Sequence, residues 1–412
     1  MEQPITPAPS RALTIAQLVL SIFGFLFSMG GMLGLVVMLG SPFQYSLAPE
    51  ESSQFMNLLW VLLAVALLTI PSIITSIRAL AGFTPRHPVR HKFFLATIAF
   101  LIVLAIIFSG SLINSNSIPK WSSSVINVLT ILIPIWWFLE LGRLRLSNGS
   151  AQRQWGLFAF STYITLPLIV TVEIIVLGFG VLIGALWLIQ QPEFAPVLTQ
   201  IGDPFMVDPS IFEDLAVDLL PLLTRPGLIA VVGSFVALII PLIEELLKPL
   251  GIWLLQKCNL TSVDGFTIGM ICGAAFAVLE SLFSISAVMP AERMFVMVGR
   301  IGTGLLHIFT AGINGWALAS TWRDGKYMRV GIAYLASVIV HGAWNLFALL
   351  LGFDMAGNEL PQIVDPHLSS LAVWFLPILT MVLLISMIGF NLYLRHQLAP
   401  PPLPQTHENG LV

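Results

Sequence analysis

The chain has 412 residues, of which 57% are apolar and only 9% charged, with a mean hydropathy of +0.92. An ordinary soluble domain carries about 25% charged residues, so the composition excludes a soluble fold and predicts an integral membrane protein whose helices pack in lipid. The formal charge of −3 says little about partners because the charges are segregated by loop, and no nucleic-acid partner is expected; Cys258 and Cys272, without a CxxC pair or a neighbouring histidine, read as neither a disulfide framework nor a thiolate metal site.

The proline-rich start, Met1 to Ser10, precedes an apolar run from Leu13 to Leu39. That run is too long for the h-region of a cleaved signal peptide and shows no convincing cleavage site after it, so it reads as a first span. Windows of roughly 20 apolar residues fall at 13–40, 57–80, 93–113, 122–140, 157–189, 228–256, 264–288, 295–320, 330–352 and 368–394. The expected fold class is all-α: a polytopic transmembrane helix bundle of about ten spans.

Lys and Arg collect in cytoplasmic loops. With the N-terminus inside, the inner segments hold thirteen of them, among them Arg78, Arg143, Arg153, Lys257, Arg323 and Arg395, and the outer loops hold three, Lys120, Arg225 and Arg293. The acids run the other way, and the asymmetry predicts an even number of spans with both termini cytoplasmic. The domain reading follows: a cytoplasmic tail at 1–12, five spans over 13–189, an acidic outer loop at 190–227, a four-helix core at 228–352, an outer loop and last span over 353–398, and a disordered tail at 399–412. In the long loop, Ile211, Leu215 and Leu219 share one helical face and Asp214 and Asp218 another, which suits a short interfacial helix or a gate over an outer site.

The first five spans carry one buried ionisable group, Glu173, which either pairs with a hydroxyl such as that of Thr171 or faces the polar centre. The sixth holds Pro241-Leu242-Ile243-Glu244-Glu245-Leu246-Leu247-Lys248. A charged residue at a helix centre costs about 2.5 to 3.5 kcal/mol to insert, so Glu244, Glu245 and Glu280 together cost roughly 8 to 10 kcal/mol before any partner is counted. Pro241 removes a backbone donor and frees the carbonyl near Ala237, loosening the helix just before the acid pair.

Four-residue steps recur in the spans that follow. The seventh has Gly265, Gly269, Gly273 and Ala277, with Phe276 and Glu280 beyond; the eighth has Gly299, Thr303, His307, Ala311 and Gly315; the ninth has Ala333, Ser337, His341 and Asn345. Small residues at that spacing let helix backbones approach closely, so each polar group sits in a helix seam. Counting at 1.5 Å per residue puts Glu244, His307 and His341 near mid-bilayer and Glu280 somewhat higher.

Glu244-Glu245-x-x-Lys248, Phe276-x-x-x-Glu280, a lone intramembrane His307 and His341-x-x-x-Asn345, in this order on consecutive spans, resemble the four motifs of the PrsW family of intramembrane proteases, which is related to the type II CAAX prenyl proteases. The resemblance covers about 125 residues, from the sixth span through the ninth. Glu280 stands where the CAAX relatives have His, which favours the PrsW branch, and nothing in the first five spans matches a named motif.

The resemblance implies a membrane-embedded endopeptidase of the bacterial cell membrane, acting on a membrane-anchored protein such as a single-pass anti-sigma factor. Peptide hydrolysis needs a base for water, a donor or cation for the oxyanion and a proton for the leaving amine. By resemblance Glu244 is the base, His307 shares the water or acts as acid, and His341 with Asn345 binds the oxyanion. Adjacent helical residues point about 100° apart, so one of Glu244 and Glu245 serves the water while the other braces the site; Lys248, four residues after Glu244, is placed to pair with it and leave Glu245 to work. Glu244, Glu280, His307 and His341 form a candidate set for one divalent metal ion such as zinc, and the same residues also suit metal-free water activation. Two other classes use such groups: a secondary transporter or proton pathway, which internal repetition would favour, and a scaffold that binds membrane proteins without chemistry.

Overall fold

The computed structural model describes residues 10–41, 49–83, 92–110, 120–147, 149–190, 226–287, 293–355 and 366–398. Among them are only helices and their connections, and ten helices are long and apolar enough to cross a membrane: Arg11–Leu39, Glu51–Leu80, Lys92–Ser109, Ser122–Gly142, Ala151–Gly184, Gly227–Trp253, Ser262–Ser286, Phe295–Asp324, Met328–Phe353 and Ser370–Leu398. The expected helix at 211–220 and the tail at 399–412 lie outside the described residues. Several helices run past their apolar windows because polar residues cap them: Ser10 Oγ accepts from Leu13 N (3.3 Å) and Ser150 Oγ from Arg153 N (3.2 Å), each giving an end amide a partner it otherwise lacks.

The fifth and sixth spans share a distortion with a common cause. Each turns π-helical, at Ser161–Thr165 and Phe235–Ile239, just before a proline, Pro167 or Pro241. Proline has no N–H to give the carbonyl four residues back, and the helix slips to a wider turn there. The freed Val236 carbonyl takes a hydrogen bond from Asn345 Nδ2 at 3.1 Å. The sixth span is also not the continuous helix expected: Ile240–Leu247 ends at Lys248, Pro249 breaks it, and the short helix Leu250–Trp253 follows.

At the centre stand the seventh and eighth spans, 83% and 67% of whose most apolar stretches are buried, against 11% for the first, third and sixth. Their small residues face one another at backbone contact. A Cβ placed on Gly265 would lie 2.4 Å from Gly315 O, one on Gly269 2.2 Å from Ala311 O, and one on Gly273 2.2 Å from His307 O. Only glycine fits at these three positions. The fourth, ninth and tenth spans pack around this pair, and the π turn and acid segment of the sixth lie against the ninth, where Tyr334 donates to Leu242 O at 2.9 Å.

The first five spans bury more charge than expected. Glu140 and Arg143, at the end of the fourth, are each only 6% exposed and form an ion pair at 2.5 Å, with Gln154 Oε1 accepting from Arg143 at 3.0 Å. Arg143, counted from sequence among the inner-segment cations, is held inside with Glu140 because the fifth helix starts at Ala151 and brings Gln154 against it.

Candidate active site

Lys248 is fully buried, and the site is built around its ammonium. Nζ lies 2.7 Å from Glu244 Oε2, 2.9 Å from Glu245 Oε1 and 2.7 Å from His307 Nδ1, and 4.4 Å from the centre of the Phe276 ring. An ammonium only donates. His307 Nδ1 therefore accepts, and its Nε2 carries the hydrogen donated to Glu280 Oε2 at 2.7 Å. The ring stands edge-on to both Phe276 (centroids 4.9 Å apart) and His341 (5.0 Å).

His341 is oriented by the same logic. Its Nδ1 faces Glu245 Oε1 at 2.9 Å, so Nδ1 donates and Nε2 is left with a lone pair, 3.8 Å from Glu244 Oε2. Each imidazole thus has a carboxylate behind it, Glu280 for His307 and Glu245 for His341, and turns its unprotonated nitrogen inward. Glu244, His307 and His341 can each offer one ligand atom within 4.8 Å of the others, and all three side chains are buried.

The neighbouring acids Glu244 and Glu245 face different surroundings. Glu245 is fully engaged: besides Lys248 and His341 it accepts from Thr310 Oγ1 and Asn314 Nδ2, both at 3.3 Å. Glu244 Oε2 has the Lys248 ammonium at 2.7 Å and His341 Nε2 at 3.8 Å, so of the two acids Glu245 is the more fully held.

Glu280 is positioned by the glycine seam. The antiparallel register that sets Gly273 against His307, continued seven residues along each helix, brings Glu280 opposite Arg300, and Arg300 Nη2 lies 2.6 Å from Glu280 Oε2. Arg300 Nε also donates to Ser281 Oγ at 3.1 Å. Glu280 stands behind His307 rather than within the group of Glu244, His307 and His341, and its side chain is 30% exposed. Asn345 spends one N–H on Val236 O and His341 its only N–H on Glu245, so the donors expected at an oxyanion are partly committed elsewhere.

Glu173 does not pair with Thr171, whose hydroxyl donates to Pro167 O at 2.7 Å. Its Oε1 is buried without a hydrogen bond, and its carboxyl lies within electrostatic reach of Glu244, Glu280 and Lys248, so it lies near the polar centre. Sequence reasoning passed over Arg300, Thr310 and Asn314. The signal was there: Arg300, Thr303, His307, Thr310 and Asn314 step by 3, 4, 3 and 4, the stripe of one helix face.

One buried carboxylate and two histidines, each backed by a second carboxylate, make a donor set of the His₂Glu kind found in zinc hydrolases. Glu244 Oε2 and His307 Nδ1 now face the Lys248 ammonium, so these donors already hold a cation, and a divalent ion bound there with His341 would take its place. Comparison with known proteins finds that the family model described as PrsW family intramembrane metalloprotease matches residues 172–382, which begins in the fifth span and ends in the tenth, beyond the four spans that carry the motifs. No curated protein and no solved structure matches the chain.

Proposed function

From a chain that belongs to the PrsW family of intramembrane metalloproteases, a multi-pass integral membrane protease, we propose hydrolysis of a peptide bond in a membrane-anchored protein at the pocket of Glu244, His307 and His341. The observation that carries it is the burial of Glu244, His307 and His341 with one ligand atom of each within 4.8 Å of the others. These three residues would hold a divalent ion, zinc by its donor set, which when bound polarises a carbonyl and lowers the pKa of water. Glu245 and Glu280 keep the two rings in the tautomers that turn lone pairs inward.

Glu280 is the carboxylate left for proton transfer. Glu245 is spent on four partners and Glu244 on the ion, whereas Glu280 is engaged through Oε2 alone and is partly open. It takes the proton of the attacking water and returns it to the leaving amine. The resemblance adds a substrate of the single-pass anti-sigma-factor kind.

The test joins metal analysis of purified protein to cleavage of a tagged single-pass substrate. Glu244→Gln and His341→Ala lose both ion and cleavage; Glu280→Gln keeps the ion and loses cleavage. Cleavage intact in all three variants overturns the proposal.

A further inference from the structure

A cavity of about 390 Å³ opens between the eighth, ninth and tenth spans. Its wall includes Gly299, Arg300 and Thr303 of the eighth, Asn345 and Gly352 of the ninth and Leu376 of the tenth. Thr303 lies four residues before His307 and Asn345 four residues after His341 on antiparallel helices, so the cavity begins one turn from both histidines, on the same side. Arg300, in its wall, is the partner of Glu280.

We propose that this cavity is the substrate-binding subsite of the protease and takes an extended stretch of three or four apolar residues from the membrane segment of a single-pass protein; the inference rests on the proteolytic reading above. From Asn345 to Gly352 is seven residues, or about 10 Å of helix at 1.5 Å each. An extended chain rises about 3.3 Å per residue, so three to four residues fill that length. Most of the wall is apolar, which suits membrane-segment side chains. The polar groups Arg300 and Asn345 lie toward the histidines, and both retain N–H groups for backbone carbonyls: Arg300 has turned two of its three guanidinium nitrogens, Nε to Ser281 and Nη2 to Glu280, and the Asn345 amide has given one of its two hydrogens. An acyl chain has no use for such donors, whereas an unwound peptide exposes carbonyls that need them.

Two wall glycines make the cavity adjustable. A Cβ at Gly299 or Gly352 meets nothing within 4 Å, so a larger side chain there takes cavity space without displacing a helix. Two measurements test the proposal. In proteoliposomes, a photoreactive residue at Gly352 in the Glu244→Gln protein is expected to crosslink three or four consecutive residues of the membrane segment of a tagged single-pass reporter; crosslinks to lipid alone, or scattered along the segment, overturn it. In the active protein, with reporters carrying Leu or Ala along that segment, Gly299→Leu is expected to lower the Leu-to-Ala ratio of kcat/KM about tenfold or more and Leu376→Ala to raise it. A ratio unchanged in both variants, or equal loss for both reporters, overturns the proposal. Failure of the proteolytic reading shows separately, as wild-type cleavage that survives Glu244→Gln or as no cleavage at all, and the crosslinking result decides the cavity in either case.

Discussion

Replacing Glu280 by glutamine distinguishes a carboxylate that holds an ion from one that stands behind a ligand. Glu280 Oε2 accepts from His307 Nε2 at 2.7 Å and pairs with Arg300 at 2.6 Å. Glutamine keeps the shape and an oxygen for the His307 N–H but loses the charge. A hydrogen bond to a charged group contributes about 1.5 to 3 kcal/mol and a neutral one about 0.5 to 1.5. The difference of about 1 to 1.5 kcal/mol is trimmed by solvent at a side chain 30% exposed. Ion affinity should therefore fall about 5- to 10-fold, at about 1.4 kcal/mol per decade. Glu244→Gln instead removes a charged group from the enclosed cluster, where breaking a buried pair costs about 3 to 5 kcal/mol, or two to more than three decades. Competition titration of Zn²⁺ against a chelator on both variants, with unfolding curves to confirm that each is folded, gives the two affinities. Cleavage by Glu280→Gln should fall about 10²- to 10⁴-fold, the range of a lost general acid–base. An affinity loss as large as that of Glu244→Gln would make Glu280 a ligand, and unchanged cleavage would remove it from proton transfer; either result refutes the assignment.

Lys248→Met leaves Glu244 and Glu245 without their shared cation, so ion-free stability should drop by about 3 to 5 kcal/mol, and added Zn²⁺ should restore more in the variant than in wild type; unfolding with and without chelator measures both. Gly269→Leu forces a side chain against Ala311 O and should destabilise the protein by about 3 kcal/mol or more, while Gly233→Leu, where a Cβ meets nothing within 4 Å, should unfold near the wild-type midpoint. Glu173→Gln keeps the shape of a carboxyl that lies near the centre without being one of the three ligand groups, and the same Zn²⁺ competition should show a loss smaller than tenfold.

How far the site could be read from sequence follows from what helical periodicity encodes. The four-residue rows of glycine and alanine in the seventh and eighth spans specify a close seam whatever else surrounds it, and the seam forms with Gly265, Gly269 and Gly273 in backbone contact. The motif residues fall on that seam or the next, so their gathering was legible too. Their individual roles were not, because these depend on the register between helices. Glu280 looks equivalent to Glu244 in a list of buried acids, and only the pairing that sets it opposite Arg300 places it behind His307. Arg300 went unnoticed for a related reason: it belongs to a 3-4 stripe, whereas the small residues that draw attention belong to a row of fours.

The two buried charge clusters show why a cation belongs at one of them. Glu140 and Arg143 pair with each other and with Trp136 and Gln154, and Lys92 lies within electrostatic reach of both, so this cluster has no excess of acid. Around Lys248 the balance differs: Glu244, Glu245 and Glu280 face Lys248 and Arg300, three acids against two bases, for a formal charge of −1. Burying an uncompensated charge is expensive, and the first cluster has no excess acid for a cation to cancel. A divalent cation would offset that excess, and Glu244 belongs to the group of three that would hold it. Titrating the wild-type protein with Zn²⁺ while following thermal unfolding should therefore raise its midpoint, and a midpoint indifferent to the ion would leave the excess acid without an account.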